Sequence, residues 1–305
     1  MAFYITILGS NASTPAYGRN QTSQYIKLHG HNFLMDCGEG TQLLLKKNRL
    51  KIQRINKIFI SHLHGDHYFG LIGLVSTMHL LGRTTPLEIY GPKGLGEILT
   101  IQFKYSDTKL RYDLTFKELD YGKSGVIFED KKIQVEHFPL KHRIDCHGYI
   151  FKEKPKPIRI NRDAIPENLA VEEVSILRQG KSVYNEDGSI KYDKKEYTLP
   201  PRKSFSYAFA SDTIYDPEIV NYIKDVDLLY HESTFLKDEE ERAAQTFHCT
   251  TYQAADIAKR ANVGKLLLGH YSTRYRNLAP FAEEAKEIFE NSELSVEGKV
   301  YELKD

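Results

Sequence analysis

The chain has 305 residues, 41% of them hydrophobic and 27% charged, enough to bury a full core in one large domain or two small ones. Its 42 basic and 41 acidic residues nearly cancel, so any binding of nucleic acid must rest on local charge. No apolar run reaches membrane-spanning length, and the N-terminus lacks the basic segment and long apolar stretch of a secretory signal. Three cysteines (Cys37, Cys146, Cys249), none in Cys-x-x-Cys spacing, argue against a disulfide framework and for a reducing cytoplasm.

Phe3 to Leu8 alternates apolar and polar residues and predicts a first strand, followed by a Gly/Ser/Asn/Pro-rich loop over Gly9–Asn20. Gln24–Leu28 and Asn32–Met35 predict a hairpin around His29–His31, and Thr41–Lys47 a short helix. Lys57–Ile60 is a buried strand, and residues 67–81 carry apolar side chains at helical spacing. Strands follow at Leu87–Tyr90, Leu114–Glu118, Val126–Glu129, Ile133–Phe138 and Tyr149–Phe151, with a helix over Gly94–Phe103. After an interruption, strands at Ser206–Ala210, Asp227–Tyr230 and Lys265–Leu268 alternate with helices around Ala243, at Tyr252–Arg260 and at Pro280–Glu290. Two sheets packed face to face with helices outside suit this order, an α/β arrangement.

Residues 152–203 break the pattern. The segment opens with Lys152-Glu-Lys-Pro-Lys-Pro-Ile-Arg-Ile-Asn-Arg162, five basic residues against one acid. A stretch this long without core periodicity is either a solvated insertion or a functional arm.

Twelve histidines are present, several where apolar runs meet loops. Ser61-His-Leu-His-Gly-Asp-His67 follows a strand directly. Three imidazoles and a carboxylate this close are poor core material, because each needs a partner when buried. They suit divalent transition metals. In a tight loop, His62 and His64 can face one side while Asp66 and His67 face the other, so one motif can serve two metals.

This motif resembles the signature of the metallo-β-lactamase superfamily. Four further matches follow in order: Pro139-Leu-Lys-His142, Phe209-Ala-Ser-Asp-Thr213, His231-Glu-Ser-Thr234 and Leu268-Gly-His-Tyr-Ser-Thr-Arg-Tyr275. The resemblance implies an αββα sandwich of two mixed β-sheets flanked by helices over residues 1–305, with 152–203 as an inserted flexible arm. It also implies His62, His64 and His142 on one metal, Asp66, His67 and His270 on the other, and Asp212 bridging. His137 and His147 compete with His142; a position in the loop between strands favours His142. Asp212 can alternatively be read as a turn cap.

Finer matches resemble the ribonuclease Z family, endonucleases that trim the 3′ trailer from precursor transfer RNA. They are Asp36-Cys-Gly-Glu-Gly-Thr-Gln42, the stretch Asn56–Leu71, and His231-Glu232 followed by His248 and Ala254-Ala255. The family implies two zinc ions per chain, with manganese or another divalent metal compatible, a homodimer, and no membrane. It implies that Asp66 orients or deprotonates the attacking water, and that His248, steered by Glu232, protonates the departing 3′ oxygen. The alternative for Glu232 and His248 is an ordinary buried pair. The insertion stands where the family carries its RNA-gripping arm. Lys152, Lys154, Lys156, Arg159 and Arg162 are its candidate phosphate contacts. Leu177-Arg-Gln-Gly180 is similar to part of that arm, although Val174-Ser175 stands where Gly-Pro is expected. Pro15-Ala-Tyr-Gly-Arg19 lacks a lysine often found beside the site, which leaves Arg19 for that phosphate. Arg274 reads as a phosphate clamp or a structural residue. Gly269 stands in place of a more usual threonine, a change expected to be silent. The competing functions are a small-molecule phosphodiesterase or other hydrolase of the same fold, and a metal-free binding member.

Overall fold

The computed structural model describes residues 3–166 and 169–305. In chain order, β1 (Phe3–Gly9), β2 (Ser23–Leu28) and β3 (His31–Met35) lead to α1 (Thr41–Lys47) and β4 (Lys57–Phe59). Then come α2 (Gly65–Tyr68), α3 (Gly70–Leu80), β5 (Leu87–Pro92), α4 (Leu95–Tyr105) and β6 (Leu114–Leu119). These are followed by β7 (Gly125–Glu129), β8 (Ile133–Leu140) and β9 (Cys146–Glu153). The insertion holds β10 (Arg159–Ile160), α5 (Val171–Arg178), β11 (Val183–Tyr184), β12 (Ile190–Tyr192), α6 (Lys194–Tyr197) and β13 (Thr198–Leu199). The chain continues through β14 (Ser206–Ala210), α7 (Val220–Ile223), β15 (Leu228–Glu232), α8 (Glu240–Thr246), α9 (Thr251–Arg260) and β16 (Leu266–Gly269). It closes with α10 (Ala279–Ile288), β17 (Ser292–Leu294) and β18 (Val300–Leu303).

Two seven-stranded sheets result, in the orders β18-β1-β2-β3-β4-β5-β6 and β17-β16-β15-β14-β9-β8-β7. Both are mixed: β3 to β6 run parallel in the first, and β14 to β17 run parallel in the second. Ile5, Phe33, Phe59, Tyr149, Phe151, Tyr207 and Phe209 fill the space between the sheets. Leu44, Leu71, Val75 and Leu99 seat α1, α3 and α4 on the outer face of the first sheet. Ala254, Ile257, Phe281 and Ala285 seat α9 and α10 on the second. The inner strand β16, and β15 as far as Tyr230, read as apolar runs because both their faces are covered. This is the expected αββα sandwich, the metallo-β-lactamase fold.

Two edge strands, β17 and β18, escape the sequence reading. Each is only three or four residues long and carries an acid, so periodicity has little to register. The insertion also differs from an irregular segment. It contains two small antiparallel ladders, β10 with β13 and β11 with β12, and helix α5, which buries Leu177. Residues 167–168 of it lie outside the described residues. Lys152 does not belong to it: the residue lies in β9, opposite Ser206, and its ammonium contacts both carboxylate oxygens of Glu136 at 2.9 Å. The arm therefore starts after Glu153.

Candidate active site

The strands β4, β8, β14, β15 and β16 end at the same edge of the sandwich, and each passes there into a loop bearing a histidine or a carboxylate. Beyond β4, Ser61 receives support from Asp36 at the end of β3. The Ser61 amide and hydroxyl donate to the two Asp36 oxygens at 2.7 and 2.8 Å. His62 and His64 follow, and Asp66 and His67 ride on the single turn α2. Asp36, Asp212 and His270 all hold left-handed backbone conformations, with φ of 53°, 57° and 58°. Such conformations are costly for non-glycine residues and collect where a side chain must be aimed.

Two groups of donor atoms form. In one, His64 Nδ1 lies 3.0 Å from His62 Nε2 and 3.1 Å from His142 Nε2, and Asp212 Oδ2 lies 3.6 and 3.9 Å from those two Nε2 atoms. In the other, His67 Nε2 and His270 Nε2 are 3.3 Å apart. Asp66 Oδ2 stands 3.4 and 3.6 Å from them, and Asp212 Oδ1 3.3 and 3.2 Å. A tetrahedral ion with bonds of ~2.0–2.1 Å has ligand–ligand edges of about 3.4 Å. Both groups match that spacing, and Asp212 contributes one oxygen to each.

The other ring nitrogen is occupied in four of the five histidines. His67 Nδ1 meets Asp36 Oδ2 at 2.7 Å, and His270 Nδ1 meets the Thr234 hydroxyl at 3.0 Å. His62 Nδ1 meets the Ser61 hydroxyl and His142 Nδ1 the Phe247 carbonyl, both at 3.0 Å. Outer partners of this kind fix the tautomer and turn the remaining lone pair inward. Burial pushes the pKa values of His62, His64 and His142 down, so these imidazoles are neutral donors. Burial opposes charge on Asp66 and Asp212, yet the surrounding imidazoles outweigh it and keep both ionised. His67 is driven up against its own burial by Asp212, Asp66 and Asp36. The donor chemistry of this cluster, imidazoles with carboxylates, suits a divalent metal.

His248 lies beside both groups, its ring centroid 5.3 Å from those of His142 and His270. Its Nδ1 stands 2.8 Å from Glu232 Oε1. The Glu232 carboxylate, fully buried, also accepts from the amides of Thr213 and Thr234 at 3.0 and 3.1 Å and from the Thr234 hydroxyl at 2.6 Å. Burial lowers the His248 pKa, but Glu232 more than compensates and lifts it to about 9. This pairing favours the protonated imidazole.

A family model described as "Anti-Pycsar protein Apyc1" matches residues 3–154. The ribonuclease Z of Cytophaga hutchinsonii is 47% identical over 305 residues, spanning 100% of this chain and 97% of that protein. The chain belongs to the ribonuclease Z family. It is thus an endoribonuclease, a hydrolase of phosphodiester bonds. The ribonuclease Z of Bacteroides fragilis is 43% identical over 298 residues, 97% of each chain. Among solved structures, human tRNase Z, short form, is similar at a TM-score of 0.72 and 27% identity, over 98% of both chains. The metallo-beta-lactamase fold protein YhfI of Bacillus subtilis shares the fold at a TM-score of 0.69 and 18% identity, over 99% of this chain and 100% of that one.

The remaining candidates from the sequence fare differently. His137 and His147 lie away from both donor groups and face each other, their Nδ1 atoms 3.3 Å apart. The Arg19 guanidinium donates to Asn11 Oδ1, to the Tyr275 carbonyl and to the Arg276 carbonyl, tying two site loops together. Arg274 stands 3.6 Å from Glu239 and stays half exposed. Lys154 pairs with Glu129, Lys156 with Glu153, and Arg159 donates to the Pro200 carbonyl, whereas Arg162 has no ion-pair partner among the described residues. Gly269 is not a silent substitution either. A Cβ there would fall 2.2 Å from the Tyr230 hydroxyl, because the Tyr230 ring occupies that space. The sequence reading assigned no role to Asp36 and Thr234. An acid at the end of an apolar strand, before Cys-Gly, is the signal that marks Asp36.

Proposed function

We propose that this family member removes the 3′ trailer from precursor transfer RNA, leaving a 3′-hydroxyl, with two divalent ions, zinc in the first instance. The observation that carries the reading is the pair of donor groups joined by Asp212, with His248, paired to Glu232, against both. His62, His64 and His142 would hold one ion, Asp66, His67 and His270 the other, and Asp212 both. When bound, the ions supply Lewis acidity, offsetting phosphate charge and lowering the pKa of water toward neutrality. Asp66 orients the attacking water and accepts its proton. Water adds to phosphorus in line, the bond from phosphorus to the 3′ oxygen breaks, and His248 delivers its proton to that oxygen. Glu232 holds the imidazole in the donating orientation and offsets its charge.

The arm supports an RNA substrate over a small phosphodiester, since a small substrate has no use for a module built beyond Glu153. The family model covering residues 3–154 stops where that module begins. A homodimer is part of the same reading, supported by Leu43, Phe69, Leu80, Leu81 and Tyr105, all exposed on or beside the helices that cover the first sheet. A cytoplasmic setting is consistent with three buried free cysteines and with no helix, among the described residues, long and apolar enough to cross a membrane. Incubation with a precursor transfer RNA and mapping of both product ends tests the reading. A single cut at the trailer junction supports it; hydrolysis of cyclic nucleotides with the RNA left intact overturns it.

A further inference from the structure

The end of the sandwich opposite the metal-ligand groups carries a second concave site. β9 begins beside the active site, where the His147 amide donates to the Ser61 carbonyl at 3.0 Å, and ends at Glu153, seven residues after its start. At ~3.3 Å per residue, the far end is about 23 Å away. There the turn between β7 and β8 and the two limbs of the arm frame a half-open cavity of ≈ 840 Å³. Its walls include Ile158, Ile160 and Leu199, and the cations Lys131, Lys132, Arg162, Arg178 and Arg202 converge on it. Among the described residues none of these five has an ion-pair partner, and Asp163 is the sole acid in the lining.

The cavity is built rather than incidental. Glu153, with its side chain almost fully buried, meets His29 Nε2 and Lys156 Nζ, each at 2.6 Å, and accepts from the Phe205 amide at 2.9 Å. Lys156 also donates to the Lys203 carbonyl at 2.6 Å. One carboxylate thus ties the turn between β2 and β3 to both limbs of the arm beside the cavity.

We infer that this cavity binds a nucleoside polyphosphate, its phosphates among the five cations and its base against the aliphatic wall. The volume falls in the range of small-molecule sites, about 300–1,000 Å³. Convergence of charge into a cavity, rather than along a stripe, suits a compact polyanion better than a convex RNA backbone. Because the occupant would touch the core turn and both limbs together, it would also stiffen the arm.

The test is calorimetric titration of the full chain, loaded with metal, with ATP, GTP and inorganic triphosphate. Saturable binding of one nucleotide per chain, tighter than triphosphate alone, supports the inference if it weakens about tenfold or more in R178A/R202A. Retained hydrolysis of a small chromogenic phosphodiester shows that this variant is folded. K131A/K132A probes the same cavity from the core side and is expected to weaken binding likewise. Binding that survives both variants but disappears in H270A places the nucleotide at the metal-ligand groups and overturns the inference. Full displacement of the nucleotide by precursor transfer RNA assigns the cavity to RNA and overturns it as well. These readouts are binding measurements, so they stand apart from whether the trailer is cut.

Discussion

Asp36 Oδ2 lies 2.7 Å from Nδ1 of His67, and both side chains are fully buried. The carboxylate also receives the Ser61 amide and hydroxyl, so it aims one imidazole and secures the loop bearing His62 and His64. Asp36→Asn keeps the shape and removes the charge. Losing such a partner typically costs about 10–100-fold in metal affinity or activity. The expected result is loss of that size in metal retention on dialysis, with turnover restored by excess zinc. Unchanged retention would mean that Asp36 serves the fold alone.

His248→Ala is expected to slow cleavage by about 10²–10⁴-fold while metal content and RNA affinity stay nearly constant. Glu232→Gln leaves an acceptor for Nδ1 without the charge and should fall between the two. Single-turnover rates separate this step from binding. If His248→Ala loses its metal, the residue is structural and the acid lies elsewhere.

Chelation of the purified protein should abolish turnover of RNA and of a chromogenic phosphodiester together. It should also lower the melting temperature, because binding of the ions to the folded donor groups stabilises the folded state. Elemental analysis before chelation should find ~2 ions per chain, and re-addition of zinc should restore both properties. Turnover that survives exhaustive chelation would contradict the role given to the donor groups.

The arm is best removed as residues 157–201, which spares the Lys152 pair in β9 and the ties around Glu153. This variant should process precursor transfer RNA poorly yet hydrolyse the chromogenic substrate at the parental rate. For every phosphate that the arm no longer neutralises, the slope of log affinity against log salt should flatten by about 0.7–0.9 units. Equal losses on both substrates would mean that the arm supports the active site.

Gly269→Ala drives a methyl group into the Tyr230 ring, which lies fully buried and stacked on Phe209 with centroids 5.1 Å apart. Overpacking of this kind costs about 1–3 kcal/mol, to be read from denaturant unfolding of the metal-loaded protein. A variant as stable as the parent would show that the ring moves freely.

Most of the architecture is legible in the sequence because the inner strands and outer helices carry strong periodicity. Val126–Glu129, Ser206–Ala210 and Tyr252–Arg260 appear within a residue of where periodicity puts them. The strands β9, β15 and β16 run further toward the site than expected, ending or beginning at Cys146, Glu232 and Gly269. Polar and small residues there are held by ladder bonds that no periodicity records. The short edge strands β17 and β18 exist because neighbours offer unpaired backbone, a tertiary cause.

Within the site, the division follows distance along the chain. His62, His64, Asp66 and His67 are adjacent, so the sequence alone determines that they share a loop and face two ways. His142, Asp212 and His270 come from three other strand ends, and only the closing of the second sheet onto the first brings them within 4 Å of that loop's donor atoms. The same holds for what the arginines and the arm do. A basic residue in a sequence announces charge but not its partner. Folding commits Arg19 to three acceptors and Lys152 to Glu136, and leaves Arg162, Arg178 and Arg202 facing a cavity. Local chemistry is written residue by residue; the pairing of charges and the filling of volume, as Tyr230 fills the space above Gly269, depend on which surfaces the fold presses together.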